Sequence, residues 1–466
     1  MLGLEIYFFA ILIFCIVAAA AFEFINGFHD TANAVATVIY TNSLRPYTAV
    51  ILSGTLNFIG VFVGGIGVAM GIINLLPMEA LLDNNLMMSS AVILSILLSA
   101  IIWNLGTWYY GIPCSSSHTL IGSILGMGMA YSLYASGNIA NVPWDKAGEI
   151  GISLLISPLF GFLMAALLMM LIRNLIRSPH LFEQPPANTP PPWWIRTILI
   201  LTCSGVSFSH GSNDGQKGVG LVMLILISFL PTYYALDSSQ SPKELHTTLQ
   251  NVTVITQHIR PESLGTEEKA TWAKAKTHLN ELRVIMENSA KNNYTIADDQ
   301  KIWVRKNISY IYKNLTKLNK SAIGLSEAER KQLGQELKSM EKHIAYAPFF
   351  VFLLISISLG LGTMVGWKRI VVTIGEKIGK EHLTYAQGAS SELVAASTIG
   401  VSTFLALPVS TTHVLSSGIA GSMVANKGLS NLQGGTIKNI AIAWLLTLPV
   451  CIFLSFSIFY LLTLFI

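Results

Sequence analysis

Apolar residues fall in long blocks along this chain, near 5–25, 48–77, 88–110, 150–172, 195–208, 216–236, 348–366, 392–406 and 437–466, with short polar phrases between them. Each block approaches or exceeds the ~20 residues a helix needs to cross a bilayer, so the pattern predicts an all-α polytopic membrane protein with about 10–12 transmembrane segments. The first block lacks a basic stretch before it and a small-residue cleavage site after it. It therefore reads as a retained span rather than a removable signal peptide.

One stretch breaks the pattern. Residues 237–346 hold 13 of the 25 acidic and 17 of the 29 basic residues. In "TEEKATWAKAKTHLNELRVIMEN", Trp272, Leu279, Leu282 and Met286 recur at helical spacing, and Ser326 stands three residues before Glu329, as a capping box requires. This predicts a soluble helical insertion, a solvated structural appendage in preference to a ligand or partner site.

Outside the insertion the chain repeats itself. "GFHD" at 27–30 returns as "GSND" at 211–214, and "PCSSSH" at 113–118 returns as "PVSTTH" at 408–413. The two offsets, 184 and 295, differ by 111, close to the 110 residues of the insertion. Matched polar phrases at matched spacing are the signature of a transporter made of internal repeats. The expected organisation is two inverted-topology repeats with broken or re-entrant helices. The first repeat covers 1–180, a proline-rich linker 181–194, and the second repeat 195–236 and 347–466, with the insertion between its parts.

Composition fits this picture: 52% of residues are hydrophobic and 12% charged, against roughly 25% charged in a soluble domain. The net charge of +4 is informative only through its distribution. Arg45, the group Arg173, Arg177 and Arg196, and the group Lys368, Arg369, Lys377 and Lys380 mark three loops as cytoplasmic. The loop at 78–87, with Asp83 and no Lys or Arg, suits the outer side, and symmetry puts the insertion there too. Cys15, Cys114, Cys203 and Cys451 show no metal-like spacing and read as small apolar filler. No nucleic-acid partner, cofactor or resident metal is expected, and a homo-oligomer is left open.

The chemistry lies in the repeated phrases. A proline before three hydroxyl residues and a glycine-dotted apolar run marks a helix N-terminus inside the membrane, with proline near its first turn. Such an end carries a partial positive charge and binds anions. Ser115, Ser116 and Ser117, with Ser410, Thr411 and Thr412, would line a cradle for a tetrahedral oxyanion; helix capping and packing is the alternative. Asp30 and Asp214 are costly at bilayer depth unless paired, hydrated or coordinating a cation. Asn26, Asn33 and Asn213 supply oxygen ligands of the kind hard cations prefer. Gly27, Gly211, Gly215 and Gly218 would let the helices unwind so that carbonyls join them.

The pairing of "GFHDTANA" and "GSNDGQKG" with two P-x-S-[ST]-[ST]-H phrases resembles the Pit family of inorganic phosphate transporters, especially its bacterial low-affinity branch. The resemblance implies phosphate uptake across the cytoplasmic (inner) membrane by symport with protons or sodium, with phosphate carried partly as a neutral divalent-metal complex. It implies Asp30, Asn33, Asn213 and Asp214 as coupling-site residues and the two hydroxyl triplets as the phosphate site. Two residues depart from the family pattern: His29 replaces the usual Asn, and Lys217 stands where another Asn is frequent. Lys217, three residues from Asp214, would replace a bound cation with a fixed charge and favour protons over sodium; a purely structural ion pair is the alternative.

His29 is a candidate proton carrier. His118 and His413 are candidates for orienting the hydroxyls, and Glu392 is a lone acid of the coupling type with no counterpart in the first repeat. Glu23 and Glu376 are set aside as lying near interfaces. A sulfate or metal-ion carrier on the same scaffold is the rival transport reading. Hydrolysis at His29 and Asp30 is disfavoured, since the chain has no glycine-framed serine nucleophile and no HExxH, so no enzyme activity is expected.

Overall fold

The computed structural model describes residues 5–76, 86–139, 142, 144–176, 178–186, 189–321 and 324–466, without the side chains of residues 31–33, 145, 146, 149, 150, 153, 154 and 263. The Asn33 side chain, Arg177 and most of the 78–87 loop, including Asp83, lie outside what it describes. The chain divides into two compact units, one running up to Ile225 and resuming with Ala347–Ile466, the other Leu226–Tyr346.

The first unit contains α1 (Ile6–Tyr40), α2 (Pro46–Val63), α3 (Gly67–Ile73), α4 (Leu86–Tyr109), α5 (Ser116–Ser136), α6 (Trp144–Leu175) and most of α7 (Trp193–Phe229). Among the described residues five helices are long and apolar enough to cross a membrane: α1, α2, α4, the Leu155–Leu175 part of α6, and Gly434–Thr463 near the C-terminus. A sixth arises if Phe349–Met364 and Lys368–Lys377, bent by 54° at the break between them, form one span.

The glycines of the repeated phrases do not unwind their helices. Both α1 and α7 stay helical through "GFHD" and "GSND", so the block at 195–208 and that at 216–236 as far as Phe229 belong to one helix. The cause is close packing. A Cβ on Gly27 would lie 2.5 Å from the Leu359 carbonyl oxygen, one on Gly211 2.2 Å from that of Asn57, and one on Gly218 2.4 Å from Glu23 Cγ. With no side chain there, neighbouring backbones come into contact while each helix keeps its own hydrogen bonds.

The second unit is built from α8 (Pro242–Thr256), α9 (Thr266–Lys291), α10 (Lys301–Asn319) and α11 (Glu327–Glu341). Leu279, Leu282 and Met286 are buried on the expected stripe, while Trp272 is only half-buried. Ser326 caps α11 reciprocally with Glu329, whose carboxylate accepts the Ser326 N–H at 2.7 Å. Arg305 is fully buried, donates to the carbonyls of Ala235 and Ile344 at 3.0 Å each, and is pulled down to about 10 by burial of its charge.

The rest of the first unit comprises α12 (Phe349–Met364), the short α13 (Lys368–Val372) with a single π turn after it, α14 (Tyr385–Phe404), α15 (Thr411–Lys427) and α16 (Gly434–Thr463). Contacts between the two sequence repeats are reciprocal. α1 lies on α12 as α7 lies on α2, and α5 packs on α16 as α15 packs on α6.

Gly211→Ala is expected to lower the yield of monodisperse protein several-fold, because its Cβ meets rigid backbone that no rotamer change relieves; full yield on size-exclusion chromatography would contradict the packing role. Arg305→Met leaves two buried carbonyls unpaired and should cost about 2–4 kcal/mol, read as faster proteolytic nicking within 226–346 of the full chain.

Candidate functional site

Ser115 and Ser410 cap α5 and α15. Their hydroxyls accept the backbone N–H of His118 at 3.2 Å and of His413 at 3.1 Å. Pro113 and Pro408 stand two residues ahead of these caps, outside the helices and not in their first turn. Both helix N-termini are buried and both reach one carboxylate: Ser116 Oγ donates to Asp30 Oδ2 at 3.2 Å, and Thr412 Oγ1 donates to Asp30 Oδ1. The hydroxyl triplets, 295 residues apart in sequence, thus converge on α1.

Opposite them, α7 presents His210, Asp214 and Lys217 on one face, as their spacing of four and three residues requires. Lys217 Nζ donates to Asp214 Oδ1 at 2.6 Å, to the Val409 carbonyl at 3.2 Å and to Ser117 Oγ. Ser117 in turn donates to the Val409 carbonyl at 2.9 Å. The ammonium therefore bridges the aspartate of one phrase to both hydroxyl loops. Thr411 Oγ1 is buried with no hydrogen-bond partner.

His210 was not singled out from the sequence, although its spacing of four residues from Asp214 on a helix was a usable signal. Its Nε2 lies 3.8 Å from Asp30 Oδ2 and 3.6 Å from Asp214 Oδ2. Its Nδ1 meets Asn57 Oδ1 at 2.9 Å, and the Asn57 amide nitrogen donates to Thr363 Oγ1 at 2.9 Å. That network assigns the proton to Nδ1. The neutral ring then turns the Nε2 lone pair toward two carboxylates, a contact that becomes favourable only when a proton or a cation stands between them. One ligand atom each from Asp30, His210 and Asp214 lies within 4.8 Å of the others, a set able to hold a metal ion.

His29 repeats this device on the other side of Asp30. Its Nε2 faces Thr107 Oγ1 at 3.2 Å, whose own proton goes to the Trp103 and Asn104 carbonyls, so Nε2 carries the hydrogen. Its Nδ1 is left 3.5 Å from Asp30 Oδ1.

Other candidates are placed elsewhere. Asn213 donates to Thr403 Oγ1 at 3.0 Å and to the Leu407 carbonyl at 3.1 Å, and its Oδ1 accepts the Val409 N–H at 3.4 Å, so the amide braces the loop into α15. Glu392 is fully buried, but its carboxylate is taken up by Thr37 and, at 2.5 Å, by Thr202. The His118 and His413 rings pack at a tilt of 32° with 4.4 Å between centroids, and His413 stacks on Trp444 at 3.9 Å. The Asn26 amide donates to Glu23 Oε2 at 3.1 Å. Glu23 is fully buried against Gly218, not at an interface with solvent.

Residues 26–455 match the model of the phosphate transporter family. The chain belongs to that family. It is 37% identical over 493 residues to the low-affinity inorganic phosphate transporter PitA of Escherichia coli, covering 98% of both chains. To the low-affinity inorganic phosphate transporter of Buchnera aphidicola subsp. Acyrthosiphon pisum it is 39% identical over 462 residues, covering 93% of each. A solved structure titled the sodium-dependent phosphate transporter shares the fold, with TM-score 0.54 at 20% identity over 98% of this chain and 100% of that one. The family consists of transporters, not enzymes. The site described above is thus the polar centre of a multi-pass membrane transporter.

Asn57→Ala removes the acceptor that fixes the His210 tautomer and is expected to lower transport roughly tenfold, as loss of a partner orienting a ligating imidazole does. Initial uptake rates in vesicles, normalised to folded protein, check this.

Proposed function

We propose that this chain imports inorganic phosphate across the cytoplasmic membrane by symport with protons, with phosphate accompanied by a divalent cation. The observation that carries the reading is the convergence of two hydroxyl-tipped helix N-termini, α5 and α15, on Asp30 beside Asp214, His210 and Lys217. Amides and hydroxyls at such ends replace hydration around an oxyanion, and the relatives named above are phosphate transporters.

The charges give the coupling logic. With neutral imidazoles, Asp30, Asp214 and Lys217 leave one net negative charge in a buried site. A phosphate dianion adds two more, which a low-dielectric interior does not tolerate without positive partners. Asp30 also holds the Ser116 and Thr412 hydroxyls that an anion would use. A proton or metal ion taken up at Asp30, His210 and Asp214 draws that carboxylate away from the hydroxyls, frees them for phosphate and offsets its charge. Lys217 supplies a fixed positive charge beside Asp214 in place of a bound cation. His29 and His210, each with one ring nitrogen facing Asp30, are the groups suited to carry the proton.

The reciprocal contacts between the halves support a reading of two inverted repeats rocking against each other around this centre. On the same symmetry residues 237–346 are read as a soluble insertion on the outer side.

Phosphate uptake in reconstituted vesicles, with proton gradient, sodium and magnesium varied independently, tests the proposal. Uptake should follow the proton gradient and magnesium and ignore sodium, and Asp30→Asn should reduce it at least 100-fold. Collapse of uptake on removing sodium at constant proton gradient would refute proton coupling. Competition by sulfate as strong as that of unlabelled phosphate would assign the site to oxyanions generally.

A further inference from the structure

A recess of about 690 Å³ lined by basic residues lies apart from the buried centre. It is lined by Tyr47 at the start of α2, by Trp108, Tyr109 and Tyr110 at the end of α4, and by Lys368, Arg369 and Lys377 in and after α13. None of its lining residues is acidic. The nearby Glu376 is already engaged by the Tyr40 hydroxyl at 2.7 Å.

The walls are fixed by specific bonds. Trp108 Nε1 donates to the Gly366 carbonyl at 2.9 Å, and Thr373 Oγ1 donates to the Gly111 carbonyl at 2.8 Å. Gly111 and Gly366 both have positive φ, 67° and 73°, which lets the two loops turn back toward each other. The Arg369 guanidinium sits 5.1 Å from the ring centroids of both Trp108 and Tyr109 and donates one hydrogen bond to the Tyr109 carbonyl at 2.7 Å. Its remaining N–H groups are held in a fixed fork suited to a phosphate oxygen pair. Lys368 and Lys377 are exposed.

We infer that this recess binds the phosphate group of an anionic phospholipid headgroup. Two observations favour a lipid over free phosphate. Tyr47, Tyr109 and Tyr110 are 79%, 60% and 77% exposed, and outward-pointing aromatic residues next to apolar helices mark the level of the membrane–water interface. Basic clusters between spanning helices at that level recognise acidic headgroups. The recess is also in the size range of sites for whole organic ligands, far roomier than one tetrahedral anion needs. Arg369 grips the phosphodiester, the two lysines add charge, and the tyrosines border the glycerol and upper acyl region.

The test uses the full-length chain, delipidated and exposed to phosphatidylglycerol or phosphatidylcholine, with bound lipid counted by native mass spectrometry. Saturable binding of radiolabelled inorganic phosphate is measured in parallel. The unaltered protein should retain phosphatidylglycerol in preference to phosphatidylcholine. Lys368→Gln and Lys377→Gln, both at exposed positions where folding is not at stake, should each weaken that retention roughly fivefold, and adding Arg369→Gln should abolish the preference, with inorganic phosphate binding unchanged throughout. Unchanged lipid retention in both single variants would overturn the inference. So would a loss of inorganic phosphate binding with lipid retention intact, which would assign the recess to the free anion.

Discussion

The Asp30 carboxylate is the constraint on which the centre of this transporter depends. A negative charge this deep among apolar helices stands only if donors reach it, and its hydroxyl donors come from two directions. Ser116 and Thr412 reach it from two helix ends, while two imidazoles flank it with the nitrogen that carries no hydrogen. Fixing those helix ends on one group fixes the rest. α5 and α15 need capping residues at Ser115 and Ser410, and their preceding loops must be short enough to converge. α1 and α7 must approach so closely that glycine is required where they meet α12, α2 and each other.

The arrangement is electrostatically unfinished in a useful way. Both imidazoles are tied at the far nitrogen, His210 by Asn57 and His29 by Thr107, so each turns its other nitrogen toward Asp30. In the neutral form those contacts set lone pairs against a carboxylate; protonation or a bound cation turns the same geometry into attraction. Lys217, linked to Asp214 and to both hydroxyl loops, makes the positive end of the cluster permanent. In the proposed function no long-range relay is needed, because the cation binds the carboxylate whose hydroxyl partners the anion takes, all within a few ångströms.

Much of this was legible in the linear chain. The paired phrases singled out Asp30, Asp214 and both hydroxyl triplets as candidates, since a costly polar residue in an apolar block is retained only for a reason, and the capping box at Ser326 was readable from spacing alone. His210 was readable too, four residues before Asp214. Other points were not. Glycines in a polar phrase look the same whether they open a helix or admit a neighbour, and only the positions of the Leu359 and Asn57 carbonyls distinguish the two. Asn213 and Glu392 have the residue types of ion ligands, yet their partners, Thr403 and Leu407 for one, Thr37 and Thr202 for the other, lie 190 to 355 residues away.

The sequence by itself determined the class of molecule and displayed its repeated polar phrases, because hydropathy and polar motifs are local properties written residue by residue. Tertiary structure decided which groups meet. That both helix ends seize one aspartate, that Asn57 sets the His210 tautomer, and that Trp108 and Tyr109 frame Arg369 all depend on side-chain direction and on contacts between segments far apart in the chain. No local pattern encodes them, since hydrogen bonds and close packing are satisfied over ångströms in space regardless of separation along the backbone.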